Sequence, residues 1–176
     1  MTDDAFGTAD IRQKVLAAWA AAPVRFREDA NAEEELALGG YADRVVIELA
    51  QNAADAAART GVPGRVLYEL RGNTLVVANT GAPLDADGVQ SLATLRASAK
   101  RDDQSVGRFG VGFSAVLAVT DEPVVLSRTG GVRFSKADTA AAVAELPSLE
   151  TEVRRRDGQV PMLRLPFEAQ GEPPAG

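Results

Sequence analysis

The chain has no cysteine and no histidine among its 176 residues. The first absence excludes disulfides, thiolate nucleophiles, cysteine-bound zinc and iron–sulfur clusters. The second excludes serine–histidine and cysteine–histidine catalysis and histidine-ligated metals. Chemistry is left to carboxylates, amides, lysine, hydroxyls and backbone N–H groups, and the metal that suits such donors is an oxygen-liganded cation such as Mg2+. Long apolar runs are also lacking. The longest, Val15 to Val24, is too short to cross a bilayer and is broken by Pro23. The opening Met1-Thr2-Asp3-Asp4 has the wrong charge for a signal peptide. The expectation is a cytoplasmic protein with no membrane partner.

What is present is ordinary for a globular domain: 45% hydrophobic and 25% charged residues, enough chain for one real core. The net charge of −6 is a poor match to a phosphate backbone, so no direct nucleic-acid contact is expected. Composition divides the chain into a flexible stretch 1–8, a domain 9–166 and a Pro/Gly-rich tail 167–176. Apolar spacing predicts a helix from Asp10 to Ala22, and residues 27–40 read as an acidic loop or short helix. A strong helix is predicted from Tyr41 to Thr60. A hairpin follows, Arg65 to Leu70 and Thr74 to Ala78, then a helix from Asp85 to Leu95 with Asp85 as N-cap. Residues 96–110 read as a loop, and Gly112 to Val119 as a short apolar helix. A second hairpin is predicted over Pro123–Arg128 and Val132–Ser135, turning at Thr129-Gly130-Gly131. A weak helix over Ala137–Leu146 and a short strand over Pro161–Pro166 complete the pattern. The class is α+β: a two-layer sandwich in which helices cover one face of a mixed, mostly antiparallel sheet.

The helix from Tyr41 to Thr60 inverts the usual pattern. With Glu48 at the origin, Arg44, Gln51, Asn52, Asp55 and Arg59 fall within roughly 60° of it at 100° per residue. The rest of the helix is apolar, which predicts burial on most sides. Two readings of the stripe stay open: one wet face of a buried helix, or the wall of a polar cavity. In the second, Glu48 and Asn52, one turn apart, set a carboxylate beside an amide oxygen, an arrangement suited to hydrated Mg2+ and a polarised water.

Two further segments carry glycine. Val76 to Pro83 runs from a strand into Asn79-Thr80-Gly81, either a plain turn or a base-reading amide at a strand end. Gly107-Arg108-Phe109-Gly110-Val111-Gly112-Phe113 opens the next helix. The segment is either a plain glycine turn or a place where backbone donors approach a ligand, and a helix N-terminus favours an anion. The spacing is neither that of a P-loop nor that of the dinucleotide fingerprint.

The ordered set Glu48-x-x-x-Asn52-x-x-Asp55-Ala56, Asn79-x-Gly81 and Gly107-x-x-Gly110-x-Gly112 resembles the GHKL ATPases (gyrase, heat-shock chaperone, histidine kinase, MutL). The phrase from Ser105 to Phe113, with Ser98-Ala99-Lys100 before it, looks most like the sacsin-like branch. The resemblance covers residues 41–128. It implies a Bergerat-type fold and an ATP-binding, Mg2+-dependent ATPase module, part of a larger chaperone-like protein whose partners are its own further domains or a client. Glu48 would then be the general base and Asn52 the Mg2+ ligand. Asp55 and Ala56 would line the nucleotide pocket, and Asn79 and Gly81 would face the adenine. Lys100 and the 96–110 loop would form a lid. Gly107, Arg108, Phe109, Gly110, Val111, Gly112 and Phe113 would cradle the phosphates. The sequence departs from the family in three ways. Asn79 stands where the family has Asp, Pro83 stands where it has Gly, and no late strand carries its Gly-Thr. These departures keep an alternative in play: a non-hydrolysing nucleotide sensor, or a protein-interaction module with a degenerate site.

Overall fold

The structure, a computed structural model, describes residues 4–39, 41–93 and 113–171. It is α+β, with two small antiparallel sheets and helices packed against them, compatible with a two-layer sandwich. Helix α1 spans Thr8–Ala21. The Asp4 carboxylate accepts the N–H groups of Thr8 and Ala9, both at 2.9 Å, and so caps α1 from outside. Phe6 is buried as well, so residues 4–8, expected to be loose, are packed.

Helix α2 is Pro23–Leu38, sixteen residues where a loop or short helix was expected. Pro23 ends one helix and occupies the first turn of the next, where its missing N–H costs nothing. Tertiary packing sustains the polar remainder. Phe26, Ala30 and Glu33 all point inward, and Trp19 of α1 meets Phe26 edge-on at 5.2 Å. Such a pair contributes about 0.5–1.5 kcal/mol beyond its buried area.

The predicted helix from Tyr41 divides into a 3-10 turn, Tyr41–Arg44, and helix α3, Val45–Ala58. Strands β1 (Val66–Arg71) and β2 (Thr74–Asn79) pair antiparallel, Val66 opposite Asn79. Gly72 takes φ 58° at the first position of their two-residue turn, the conformation such turns require. Helix α4 is Ala86–Ala93, and the Asp85 carboxylate accepts the Gly88 N–H at 2.7 Å, the N-cap that the sequence predicts. The expected helix after the glycine segment is a 3-10 turn, Phe113–Ala118.

Strands β3 (Val124–Ser127), β4 (Gly130–Arg133) and β5 (Phe167–Ala169) form the second sheet in that order. The β3–β4 turn is Arg128-Thr129; Gly130 and Gly131 lie inside β4 rather than in the turn. A Cβ on Gly131 would stand 2.5 Å from the Ala169 carbonyl oxygen, so β5 can approach only a glycine there. Strand β5 lies where composition predicts a tail. Two guanidinium groups stand over the Phe167 ring, Arg12 at 4.5 Å and Arg133 at 5.1 Å from its centre. Arg12 also donates to the Pro166 carbonyl at 2.7 Å.

Helices α5 (Lys136–Ala144) and α6 (Glu150–Arg155) follow the second hairpin. The strand expected at Pro161–Pro166 is instead a 3-10 turn, Met162–Arg164. Met162, Leu163 and Leu165 are all buried. A run buried on every side lacks the in–out alternation that would commit it to a strand.

One core cluster joins α4, the 113–118 turn and β4 through Val89, Leu92, Phe113, Val116, Val132 and Phe134. A second joins α1, α2 and α5 through Trp19, Phe26, Val143, Leu149 and Leu165.

Candidate nucleotide site

Helix α3 carries the first group of predicted site residues. Glu48, Asn52 and Asp55 share one face and are half-buried. Beside them, Val45, Ala56, Leu49, Ala53 and Ala57 form the inward arc, about 120° wide. Among the described residues the remaining arc is largely exposed, contrary to the burial expected from composition. Ile47 is 62% exposed and Val46 48%, and Ala54 and Ala58 also face out. The physical reason is the size of its partners: α3 packs on the 113–118 turn and on the Tyr41–Arg44 turn, which cover one side of the helix.

The second group is brought against the first by a contact that only glycine permits. Gly81 has φ 138°, and a Cβ there would lie 2.6 Å from the Ala56 carbonyl carbon and 2.8 Å from the Ala57 nitrogen. The Ala82 N–H donates to the Ala56 carbonyl at 2.9 Å. Asn79 ends β2, exposed, and its side-chain N–H donates to the Thr80 carbonyl at 3.2 Å, which leaves its oxygen as an acceptor. The turn is fixed from its other end by Leu84, which donates to the Ser127 hydroxyl at 3.0 Å and accepts from the Thr129 hydroxyl. Gly81→Ala should therefore destabilise the fold by about 1–3 kcal/mol, the cost of an unfavourable φ and a backbone clash. Chemical denaturation of the two proteins would check it; equal midpoints would show that the turn can shift away from α3.

The charge pattern on α3 is simple. Arg44 lies 3.6 Å from Glu48 one turn on, and the Glu48 side chain is 25% exposed. Asn52 and Asp55 supply further oxygen donors on the same stripe. Among the described residues no cluster of three acidic groups forms a cage for a metal. This donor set fits Mg2+, which keeps several waters and binds one or two protein oxygens together with substrate phosphates. A hollow of about 400 Å³ adjoins Gly81, lined by Thr60, Val62, Pro63, Gly64, Arg65 and Thr80. It opens at the C-terminal end of α3, about three turns from Glu48, and so is remote from the predicted phosphate end.

Of the glycine segment, Lys100, Gly107, Arg108, Phe109, Gly110, Val111 and Gly112 lie outside the described residues. Phe113 is buried in the core and packs on Phe134 with ring centres 5.8 Å apart.

No family model matches the chain, and no solved structure does. There is a partial likeness to a chaperone. Over 86 residues the chain is 33% identical to the chaperone protein HtpG of Bordetella pertussis (strain Tohama I), and equally to that of Bordetella parapertussis (strain 12822). The match takes in 42% of this chain and 14% of each relative, so the chain spans a small part of the proteins it matches.

Sequence reasoning missed a buried polar cluster on α2. Glu33 is 5% exposed, and its carboxylate accepts the Leu163 N–H at 2.8 Å. Burial pushes its pKa up to about 8, against the opposing pull of the Leu163 and Met162 N–H groups. Asp29, one turn earlier, accepts the Trp19 indole N–H at 2.8 Å and lies 3.3 Å from Nε of Arg164. The signal was available. Asp29 and Glu33 are four apart and share a face with Phe26 and Ala30 once Pro23 is read as a helix start.

Proposed function

We propose that this chain is an ATP-binding, Mg2+-dependent ATPase module of a larger chaperone-like protein, of the GHKL type and closest to the sacsin-like branch. The observation that carries the reading is the Gly81–Ala56 contact. It sets the Asn79–Gly81 turn against the helix that presents Glu48, Asn52 and Asp55 in a single stripe. Adenine would meet the Asn79 oxygen at one end, and the phosphates would lie toward Glu48 at the other. The partial identity to HtpG supports the same reading.

Phosphoryl transfer to water asks the protein mostly for positioning and charge neutralisation. Glu48 would hold the attacking water and take its proton; the ion pair with Arg44 keeps the carboxylate oriented until it does so. Asn52 would hold Mg2+, with Asp55 supporting it. Bound Mg2+ supplies neutralisation of the charge on the phosphate oxygens. Phe113, anchored in the core, would hold the end of the glycine segment fixed.

Calorimetric titration with ATP, with and without Mg2+, tests the reading. Saturable binding that Mg2+ strengthens is the expected result; its absence would favour the protein-interaction module. Asn52→Ala should remove the Mg2+-dependent part of that binding and leave the Mg2+-free part. An unchanged Mg2+ dependence would reject Asn52 as the ligand.

A further inference from the structure

The first hairpin is thinly supported. Among the described residues β1 pairs with β2 alone, and the two form a sheet apart from the three-stranded one. Beyond its base at Gly81 the hairpin is tethered to α3 through the Tyr68 hydroxyl, which donates to the Val46 carbonyl at 2.8 Å. A two-stranded ribbon is marginally stable in water and gains from further strands. Its tip also holds apolar side chains in solvent. Leu70 is 74% exposed, and Leu75, directly opposite it, is exposed as well.

The open edge of β1 ends in Glu69-Leu70-Arg71. Residues two apart share a face of a strand, and the Glu69 and Arg71 side chains meet there at 2.7 Å, both reaching solvent. Charge of a single sign on an edge strand repels a second copy. Opposite charges flanking a leucine do the reverse. Let β1 meet its own copy antiparallel, about a two-fold axis perpendicular to the sheet and passing at Leu70. Glu69 of each copy then stands opposite Arg71 of the other. The leucines form a row across four strands, Leu75 and Leu70 of one copy beside Leu70 and Leu75 of the other. The neighbouring registers that keep each face with itself are worse. Centred on Glu69, the pairing sets that carboxylate against its own copy. Centred on Tyr68, it sets Arg71 against Arg65, and like charges directly opposite destabilise a strand pair. Centred on Leu67, it runs the second strand past Gly64, which is pressed so close to α3 that a Cβ would stand 2.5 Å from the Ala57 Cβ.

We propose that the β1 edge is an interface for a second copy of this chain, joined in the Leu70-centred register into a four-stranded antiparallel sheet. The contact is isologous, so it closes at two copies. Each chain carries a net charge of −6 and repels its like, which favours meeting at an uncharged row flanked by matched charges. The contact is smaller than a standard interface of about 800 Å² per partner, so the dimer is weak and forms as concentration rises. None of this depends on the nucleotide reading.

Sedimentation of the wild-type chain at rising concentration should show a monomer–dimer equilibrium. Glu69→Arg and Arg71→Glu each set like charges opposite one another at both ends of the pairing. Each should raise the dimer dissociation constant by roughly tenfold or more. Mixed in equal amounts, the two variants should pair with each other, because one is purely basic and the other purely acidic at these positions. The ion pair within a strand cannot explain such a rescue, since each variant has lost it. The absence of cysteine permits a second arm that decides alone if a charge variant fails to fold. Leu70→Cys lies on the axis, where opposed Cα atoms are about 4.5–5.5 Å apart, within disulfide reach. It should cross-link to its own copy under mild oxidation, and Thr74→Cys, on the strand away from the axis, should not. A wild-type chain that stays monomeric at every concentration overturns the proposal and leaves the edge to a strand of a different protein. Charge variants that dimerise as the wild type does overturn it too. So does a mixture of folded variants that stays monomeric, or cross-linking as fast through Thr74→Cys as through Leu70→Cys.

Discussion

Glu48→Gln should keep ATP and lose its hydrolysis, with turnover down by about 10²–10⁴-fold, the usual contribution of a positioned general base. The fold should hardly notice. The interaction lost is an i,i+4 ion pair at 3.6 Å with an exposed Arg44, and such pairs contribute only about 0.3–0.5 kcal/mol. The two magnitudes separate the roles. Phosphate release, ATP calorimetry and thermal melting on the same preparation would read all three quantities. Binding that falls as far as turnover would make Glu48 a structural residue of α3 and leave the hydrolytic reading without its base.

Glu33 should dominate the pH dependence of stability. Its carboxyl titrates at about 8 in the folded chain, against an ordinary 4.5. Below 4.5 it is protonated whether the chain is folded or not, and its stabilising contribution is complete. Between 4.5 and 8 the unfolded chain gives up a proton that the folded chain keeps, so stability declines as pH rises through that window and levels off above it. At about 1.4 kcal/mol per unit, the loss amounts to several kcal/mol. Each kcal/mol moves the melting temperature of a domain this size by about 2–4 °C. Glu33→Gln keeps an acceptor for the Leu163 N–H and carries no charge at any pH. It should flatten the decline and be the more stable protein at alkaline pH. Urea unfolding midpoints measured from pH 4.5 to above 8 would show it. Parallel curves for the two proteins would mean that Glu33 reaches water in the folded state.

How much of this was legible in the sequence varies by element. The first hairpin, the Asp85 cap and α4 followed from local signals, because a two-residue glycine turn and a side-chain cap are decided within a few residues. The face shared by Glu48, Asn52 and Asp55 followed from helical geometry alone. The absence of cysteine and histidine fixed the available chemistry before any fold was known.

Other features depended on contacts far apart in the chain. In the 162–164 turn the Leu163 N–H goes to Glu33, about 130 positions earlier, and the Arg164 N–H closes on the Pro161 carbonyl, so neither pairs with a strand. Strand β5 exists because Arg12 and Arg133 close on Phe167 and because Gly131 leaves room for Ala169. Helix α2 is polar enough to read as a loop, and burial of Phe26 and Ala30 overrides that composition. Most of all, a second apolar arc of α3, with Val46 and Ile47, is exposed among the described residues. The sequence by itself determined which residues share a face of that helix. Which face turns inward was decided by the 113–118 turn packed against it, because burial is a property of the partner surface as much as of the helix.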